Sequence, residues 1–356
     1  MKKLNMFLLI LLFIQIVNSG LFAQKNVWTP EQAKKWYSEH EWLVGCNFIP
    51  STAINQLEMW QEETFDPKTI DTELGYAEKA GFNTMRVFLH YLVWYQDPED
   101  FYERMEQYLT IAQKHNISAM FVFFDDCWNG YSKLGKQPEP KPYVHNSGWV
   151  QCPGQEEVTD ITKFPTLETY VRVTLSRFKN DKRIIAWDLY NEPGNSGHGD
   201  ESITLLKSAF RWAQHVRPSQ PITVGIWSMD KEFNKLNQLQ IANSDIITFH
   251  CYQDIKAMQS VIDSLKKFDK PLICTEYMCR PTSTFKEHLP LLKKENIGAY
   301  NWGLVSGKTQ TIYPWDSWKK QYESEPKNWF HDVFRKDGTP FDKTEVELIR
   351  SLSQKK

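Results

Sequence analysis

Two rhythms of hydrophobic and polar positions alternate along this chain. Short, nearly unbroken apolar runs occupy Trp42–Asn47, Thr84–Leu89, Ser118–Phe124, Ile184–Tyr190, Ile222–Ile226, Ile246–His250, Leu272–Glu276 and Gly298–Trp302. Runs of this length suit parallel strands covered on both faces. Between them, apolar residues recur at three- and four-residue spacing. Phe101, Met105, Tyr108 and Ala112 form one stripe, Ile203, Leu206, Phe210 and Ala213 a second, and Ile255, Met258, Ile262 and Leu265 a third. Such stripes predict helices packed on a sheet. A last helix is expected from about Lys343 to Leu352. Strands alternating with helices imply βαβ units, and eight of them imply closure into a (β/α)8 TIM barrel, an α/β fold in a single domain.

Two stretches break the rhythm. From Asp125 to about Phe164 the chain is irregular and carries Pro138, Pro140, Pro142 and Pro153. A loop that long in a compact domain is usually functional. After the third strand of a barrel it lies over the C-terminal face, where active sites are built. At the other break, Lys2 and Lys3 precede an apolar run from Met6 to Val17, then small residues up to Ala23. This is the pattern of a secretory signal, and the run is short for a membrane span. Residues 1–23 are therefore expected to be removed, leaving 24–356 as a periplasmic or secreted domain without stable membrane insertion. A retained anchor is the alternative. Export permits disulfides. Of Cys46, Cys127, Cys152, Cys251, Cys274 and Cys279, the expected pair is Cys127–Cys152, which flanks the long loop.

Composition narrows the partners. A formal net charge of -2 provides no field for nucleic acid or anionic lipid. With 14 Trp and 15 Tyr, the chain is rich in rings that combine an apolar face with a polar tip, which suits stacking on sugars. An oligo- or polysaccharide partner and a monomeric protein are expected. The nine His are scattered, with no HxH or HExxH pattern, no CxxC and no GxSxG elbow. Metal, redox and serine-nucleophile chemistry are not indicated, and no cofactor is expected.

The chemistry lies at two strand ends. IIAWDLYNEP, residues 184–193, is an apolar strand that delivers Glu192 to the catalytic rim, and Pro193 stops it there. PLICTEY, residues 271–277, delivers Glu276 to the same rim. Two carboxylates facing across a barrel mouth are what glycoside cleavage requires: one protonates the leaving oxygen, and the other attacks the anomeric carbon or activates water.

In these residues the chain resembles clan A glycoside hydrolases, family 5 (the cellulase and mannanase group) most closely. The match runs along essentially the whole mature chain: Arg86 in GFNTMRVFLH, Asn191 and Glu192, His250 and Tyr252 in ITFHCY, Glu276, Trp302 in AYNW, and the opening strand WLVGCN. The resemblance implies a retaining hydrolase with Glu192 as acid/base and Glu276 as nucleophile. Arg86 and Tyr252 would hold Glu276 ionised, and Asn191 would bind the sugar 2-hydroxyl. His250 would tune Glu192 or touch substrate, and Trp302 would floor the cleavage subsite. The plain alternatives are a buried ion pair for Arg86, a core histidine for His250 and filler for Trp302. One departure stands out. Where the family often carries a His after strand three, this chain has Asp125, Asp126, Cys127 and Trp128. Asp125 and Asp126 are candidates for sugar hydroxyls or for loop caps. Trp94, Trp128, Trp149, Trp315 and Trp318 are candidate sugar platforms.

The expected substrate is a β-linked glycan such as a β-1,4-glucan, mannan or xylan. Two rivals remain open on sequence: an exo-acting β-glycosidase on short oligosaccharides, and a non-catalytic carbohydrate-binding barrel, against which the presence of both glutamates argues.

Overall fold

A computed structural model describes residues 27–354; the expected signal, 1–23, lies outside the described residues. Nine strands run parallel: β1 (Val44–Asn47), β2 (Thr84–Phe88), β3 (Ser118–Asp125), β4 (Ile184–Asn191), β5 (Ile222–Thr223), β6 (Gly225–Ile226), β7 (Ile247–His250), β8 (Leu272–Tyr277) and β9 (Gly298–Trp302). Their order is β5-β4-β3-β2-β1-β9-β8-β7-β6. The expected fifth strand is thus two pieces. Thr223 pairs with Asp188 on β4, and after Val224 the chain turns to its other neighbour, Gly225 pairing with Thr248 on β7. The ring closes through Val224 as an eight-position barrel.

The predicted stripes account for the outer layer. Phe101, Met105, Tyr108 and Ala112 are all buried on the helix Pro98–Lys114, whose N-terminus is capped by Asp97. Leu206, Phe210 and Ala213 are buried on Ile203–Val216, and Met258, Ile262 and Leu265 on Ile255–Leu265. Lys343–Ser353 closes the ring. Beneath the barrel, the helix Pro30–Ser38 starts with a Thr29–Gln32 capping box and brings Ala33, with Trp28, Trp36 and Tyr37, against Met120, Ile246 and Tyr300. The strand N-terminal ends are therefore plugged by apolar packing, and chemistry is left to the other end.

Register places that other end. Asp125 pairs with Asn191, His250 with Glu276, and Asn47 with both Arg86 and Trp302. Each residue the motifs single out on a strand comes to the C-terminal rim as a neighbour of another. Among the described residues no helix is long and apolar enough to cross a membrane.

Candidate active site

A hollow of about 250 Å³ opens at this rim, with Glu192, Glu276, Asn191, His250, Tyr252, Trp128 and Trp302 on its lining. The chain leaves β4 by a strained step: Glu192 adopts φ 47°, and Gly194 φ 89° completes the turn. A left-handed glutamate is costly, and such strain gathers at functional positions. Here it swings the carboxylate back over the barrel mouth. One oxygen of each glutamate and one ring nitrogen of His250 all lie within 4.8 Å of one another.

Beneath the hollow, Arg86 is fully buried and spends its fork on the strand ends. Nε and Nη2 donate to Asp188 Oδ2 (3.0 and 2.8 Å), Nη1 to Asn47 Oδ1 (2.7 Å) and Glu276 Oε1 (2.9 Å), and Nη2 to Asn191 Oδ1 (2.7 Å). Burial opposes its charge, but Asp188 and Glu276 more than restore it. Tyr252 donates to Glu276 Oε2 at 2.8 Å. Arg86 does not line the hollow; it orients Glu276 and Asn191 from below rather than meeting a ligand.

Around Glu192 the donors differ. His250 Nδ1 is 2.7 Å from Oε1 and 3.6 Å from Glu276 Oε2. Cys127 Sγ donates to Oε2 at 3.1 Å, and Asn195 Nδ2 donates to the same oxygen. Burial pushes the Glu192 carboxyl up, but the His250 contact, with Cys127 and Asn195, brings it below its ordinary value. Burial raises Glu276, and the charge of Glu192 adds to this against His250, Arg86 and Tyr252.

Asp125 and Asp126 are buried behind the site and do not line the hollow, so sugar hydroxyls do not meet them. Asp125 accepts from Asn191 Nδ2 (2.9 Å), Cys127 N (2.9 Å) and Trp149 Nε1 (2.7 Å); Asp126 accepts from Tyr190 OH (2.5 Å), Ser202 Oγ (2.6 Å) and Gly194 N (2.7 Å). Both act as caps that hold the loops after β3 and β4.

The expected Cys127–Cys152 disulfide is not formed; both are free thiols. The Cys127 side chain faces Glu192, whereas Cys152 is enclosed in the core with its backbone paired to Asp125. Of the candidate platforms, Trp128, Trp149 and Trp315 line the hollow. Trp318 stands behind Trp128, their rings stacked at 6.1 Å. Trp94 is core, donating to Tyr102 OH at 2.7 Å. Trp302 packs against Phe88 and Trp149 with rings steeply inclined at 5.7 and 5.5 Å, and it lines the hollow.

Sequence reasoning missed Cys127 as a site residue, and it also missed Asn195, Trp227, His145 and His331 on the lining. Asn195 follows three residues after Glu192, the one local hint; the others come from loops whose course no periodicity predicts.

Comparisons with known proteins agree with the fold. Over 151 residues the chain is 22% identical to a probable mannan endo-1,4-β-mannosidase A of Aspergillus niger, an alignment spanning 36% of each chain, so only about a third of that relative is matched. Among solved structures, the exo-β-1,4-mannosidase of Opitutaceae bacterium strain TAV5 superposes with TM-score 0.63 at 16% identity, covering 88% of this chain and 60% of that one. The endo-β-1,4-mannanase of Thermotoga petrophila gives TM-score 0.59 at 14% identity, covering 89% and 77%. The cellulase family, glycosyl hydrolase family 5, matches residues 45–308. That match runs from within β1 past the end of β9 and takes in both glutamates, and the chain belongs to this family.

Proposed function

We propose that the protein hydrolyses β-1,4-linked glycans with retained configuration. The observation that carries this reading is the spacing of the glutamates. Retaining enzymes hold their carboxyl groups roughly 5–5.5 Å apart, whereas inverting enzymes need about 6.5–9.5 Å to admit water. One oxygen of each glutamate lies within 4.8 Å of one of the other, which supports the shorter, retaining spacing.

Glu276, held by Arg86 and Tyr252, attacks the anomeric carbon. Glu192 gives its proton to the glycosidic oxygen as the carbon–oxygen bond breaks. Water then surrenders a proton to Glu192 and attacks the same carbon, freeing Glu276. For this cycle the proton must start on Glu192. Arg86 neutralises the charge that Glu276 carries meanwhile. Asn191 commits one amide proton to Asp125, and the other faces the weak acceptor Cys127 Sγ at 3.4 Å, so it is the donor for the sugar 2-hydroxyl. Trp302 floors the ring.

Mannan is the first glycan to test, because the Aspergillus niger relative and both structural neighbours are named as β-1,4-mannan enzymes. The leader pattern at 1–23 supports export, which N-terminal sequencing of the mature protein would check.

Glu276→Ala is expected to abolish turnover and leave the thermal transition in place; substantial residual activity removes the nucleophile from this scheme. Glu192→Ala should lose roughly 10²–10⁴-fold, the usual contribution of a general acid. Azide should rescue it on an aryl β-glycoside, whose leaving group needs no proton. Absence of rescue refutes the acid/base role.

A further inference from the structure

One wall of the hollow is not part of the barrel. It is a seam between the loop after β3 and the loop after β9. Asn146 N donates to Thr309 O (2.7 Å), His145 N to Ser317 Oγ (3.0 Å), and Tyr143 N to Gln310 Oε1 (2.7 Å), while Gln310 Nε2 donates back to Lys141 O (2.7 Å). Trp128 stacks on Trp318 above it, with Lys141 Nζ 5.1 Å from the far ring. Below, Asn55 donates to Gly148 O, and Lys308 pairs with the buried Glu58. His145, Asn146 and Trp315, all within the seam's two loops, face the hollow.

In the ring, β3 and β9 flank β2 and β1, so the seam roofs that side of the mouth. Across the ring, after β6, the picture reverses. Asn195 and Trp227 line both the catalytic hollow and a second, shallow hollow of about 680 Å³ over Gly194–Asp200 and Glu232. The site is thus walled by the seam at one end and adjoins a shallow surface hollow, at Asn195 and Trp227, at the other.

Chemistry orients a substrate in this half-closed trough. The proton donor must stand on the leaving-group side of the scissile bond, and Glu192 is three residues from Asn195, at the open end. The sugar that becomes bonded to Glu276 therefore lies toward Trp302 and the seam. At about 250 Å³ the catalytic hollow falls below the roughly 300–1,000 Å³ of sites that enclose drug-sized ligands. A hollow of that size suits a single bound ring on the side that the seam walls.

From this we infer that the enzyme removes single sugars from the non-reducing end of β-linked chains, the seam excluding a second ring beyond the one that is cleaved. The inference rests on the hydrolase reading above and specifies its substrate end. The test uses β-1,4-mannopentaose and cellopentaose labelled with 18O at the reducing end, with an aryl β-mannoside and an aryl β-glucoside run in parallel. At early times the expected products are unlabelled monosaccharide and a labelled chain one unit shorter. A labelled di- or trisaccharide as the first product overturns end-on action, as does aryl glycoside turnover with both pentaoses left intact. In either case Glu276-dependent aryl glycoside cleavage leaves the hydrolase reading standing. No turnover of any of the four substrates overturns both. Opening the seam by Gln310→Ala with Trp318→Ala should raise the disaccharide share of the products roughly tenfold, the low end of what one pocket contact discriminates. An unchanged product pattern in that folded variant also overturns the inference.

Discussion

Glu276 takes its hydrogen bonds from a buried guanidinium and a tyrosine, whereas Glu192 takes its from a thiol, a loop amide and an imidazole. The first cradle is made mainly of strands: Arg86, Asp188 and Asn47 lie on β2, β4 and β1, and Tyr252 follows the end of β7 by two residues. The second is made of the turns after β3 and β4, joined only by His250 from β7. The proposed roles ask for this difference. A nucleophile must keep its charge and its aim. An acid/base must change protonation twice per turnover, and weak or titratable donors let it do so where a fixed cation would not.

The strongest way to break this contrast is at Arg86. Arg86→Ala would leave Asp188 and Glu276 buried without a cation, and roughly 3–5 kcal/mol of stability should be lost. Arg86→Lys separates charge from geometry. Lysine keeps the cation but cannot serve Asp188, Asn47, Asn191 and Glu276 from one rigid fork. We expect a folded protein with kcat/KM down roughly 10²–10³-fold, the scale of one misplaced transition-state donor. Wild-type kcat in Arg86→Lys would show that charge alone suffices and that the fork is incidental.

Single donors on the two glutamates give smaller and opposite-sided effects. Tyr252→Phe removes a hydrogen bond to a charged group, about 1.5–3 kcal/mol, or roughly 10- to 100-fold in rate. It lets the Glu276 carboxyl rise, so the acidic limb of the pH–rate profile should move to higher pH. Cys127→Ala removes a donor that favours ionised Glu192. The acid form then persists further, and the alkaline limb should move to higher pH with less than about tenfold loss in kcat, since a thiol is a weak donor. A variant that moves the wrong limb reassigns its glutamate.

The same division governs what could be read from the chain. Strand-borne residues were legible because an apolar run carries its own address: Asn191, Glu276 and Trp302 lie at the ends of runs, and Arg86 is the one charge inside the second. Loop-borne ones were not. Cys127 reads equally well as a disulfide partner, and only folding turns it toward Glu192. Asp125 and Asp126 read equally as sugar ligands or as loop caps in sequence. Their donors include Trp149, Ser202 and Gly194, residues up to 76 positions away in the chain, so the choice is open until those loops are placed. Trp94 illustrates the limit of composition: the same ring serves as core or platform, and only burial decides.

Asp125 yields the finest test of the loop-built side. Its carboxyl is pushed up to about 7, chiefly by burial, against the hydrogen bonds of Asn191, Trp149 and the Cys127 backbone; the charge of Glu192 raises it further. Unfolded, an aspartate titrates near 3.9. The folded state therefore binds the proton more tightly, and the stability this contributes is full below about pH 4 and lost as pH rises through about 7. Glu73 and Asp332, also raised to about 7, act with the same sign and are common to wild type and variant. Asn at position 125 stays neutral throughout but offers only one acceptor oxygen to several donors. Asp125→Asn should consequently melt below wild type at pH 5, with the gap narrowing toward pH 8 as the wild type is forced to bury a charge. A gap that stays constant or widens over that range would mean that Asp125 is ionised throughout, and that the Glu192 side is held by a fixed charge after all, as the Glu276 side is.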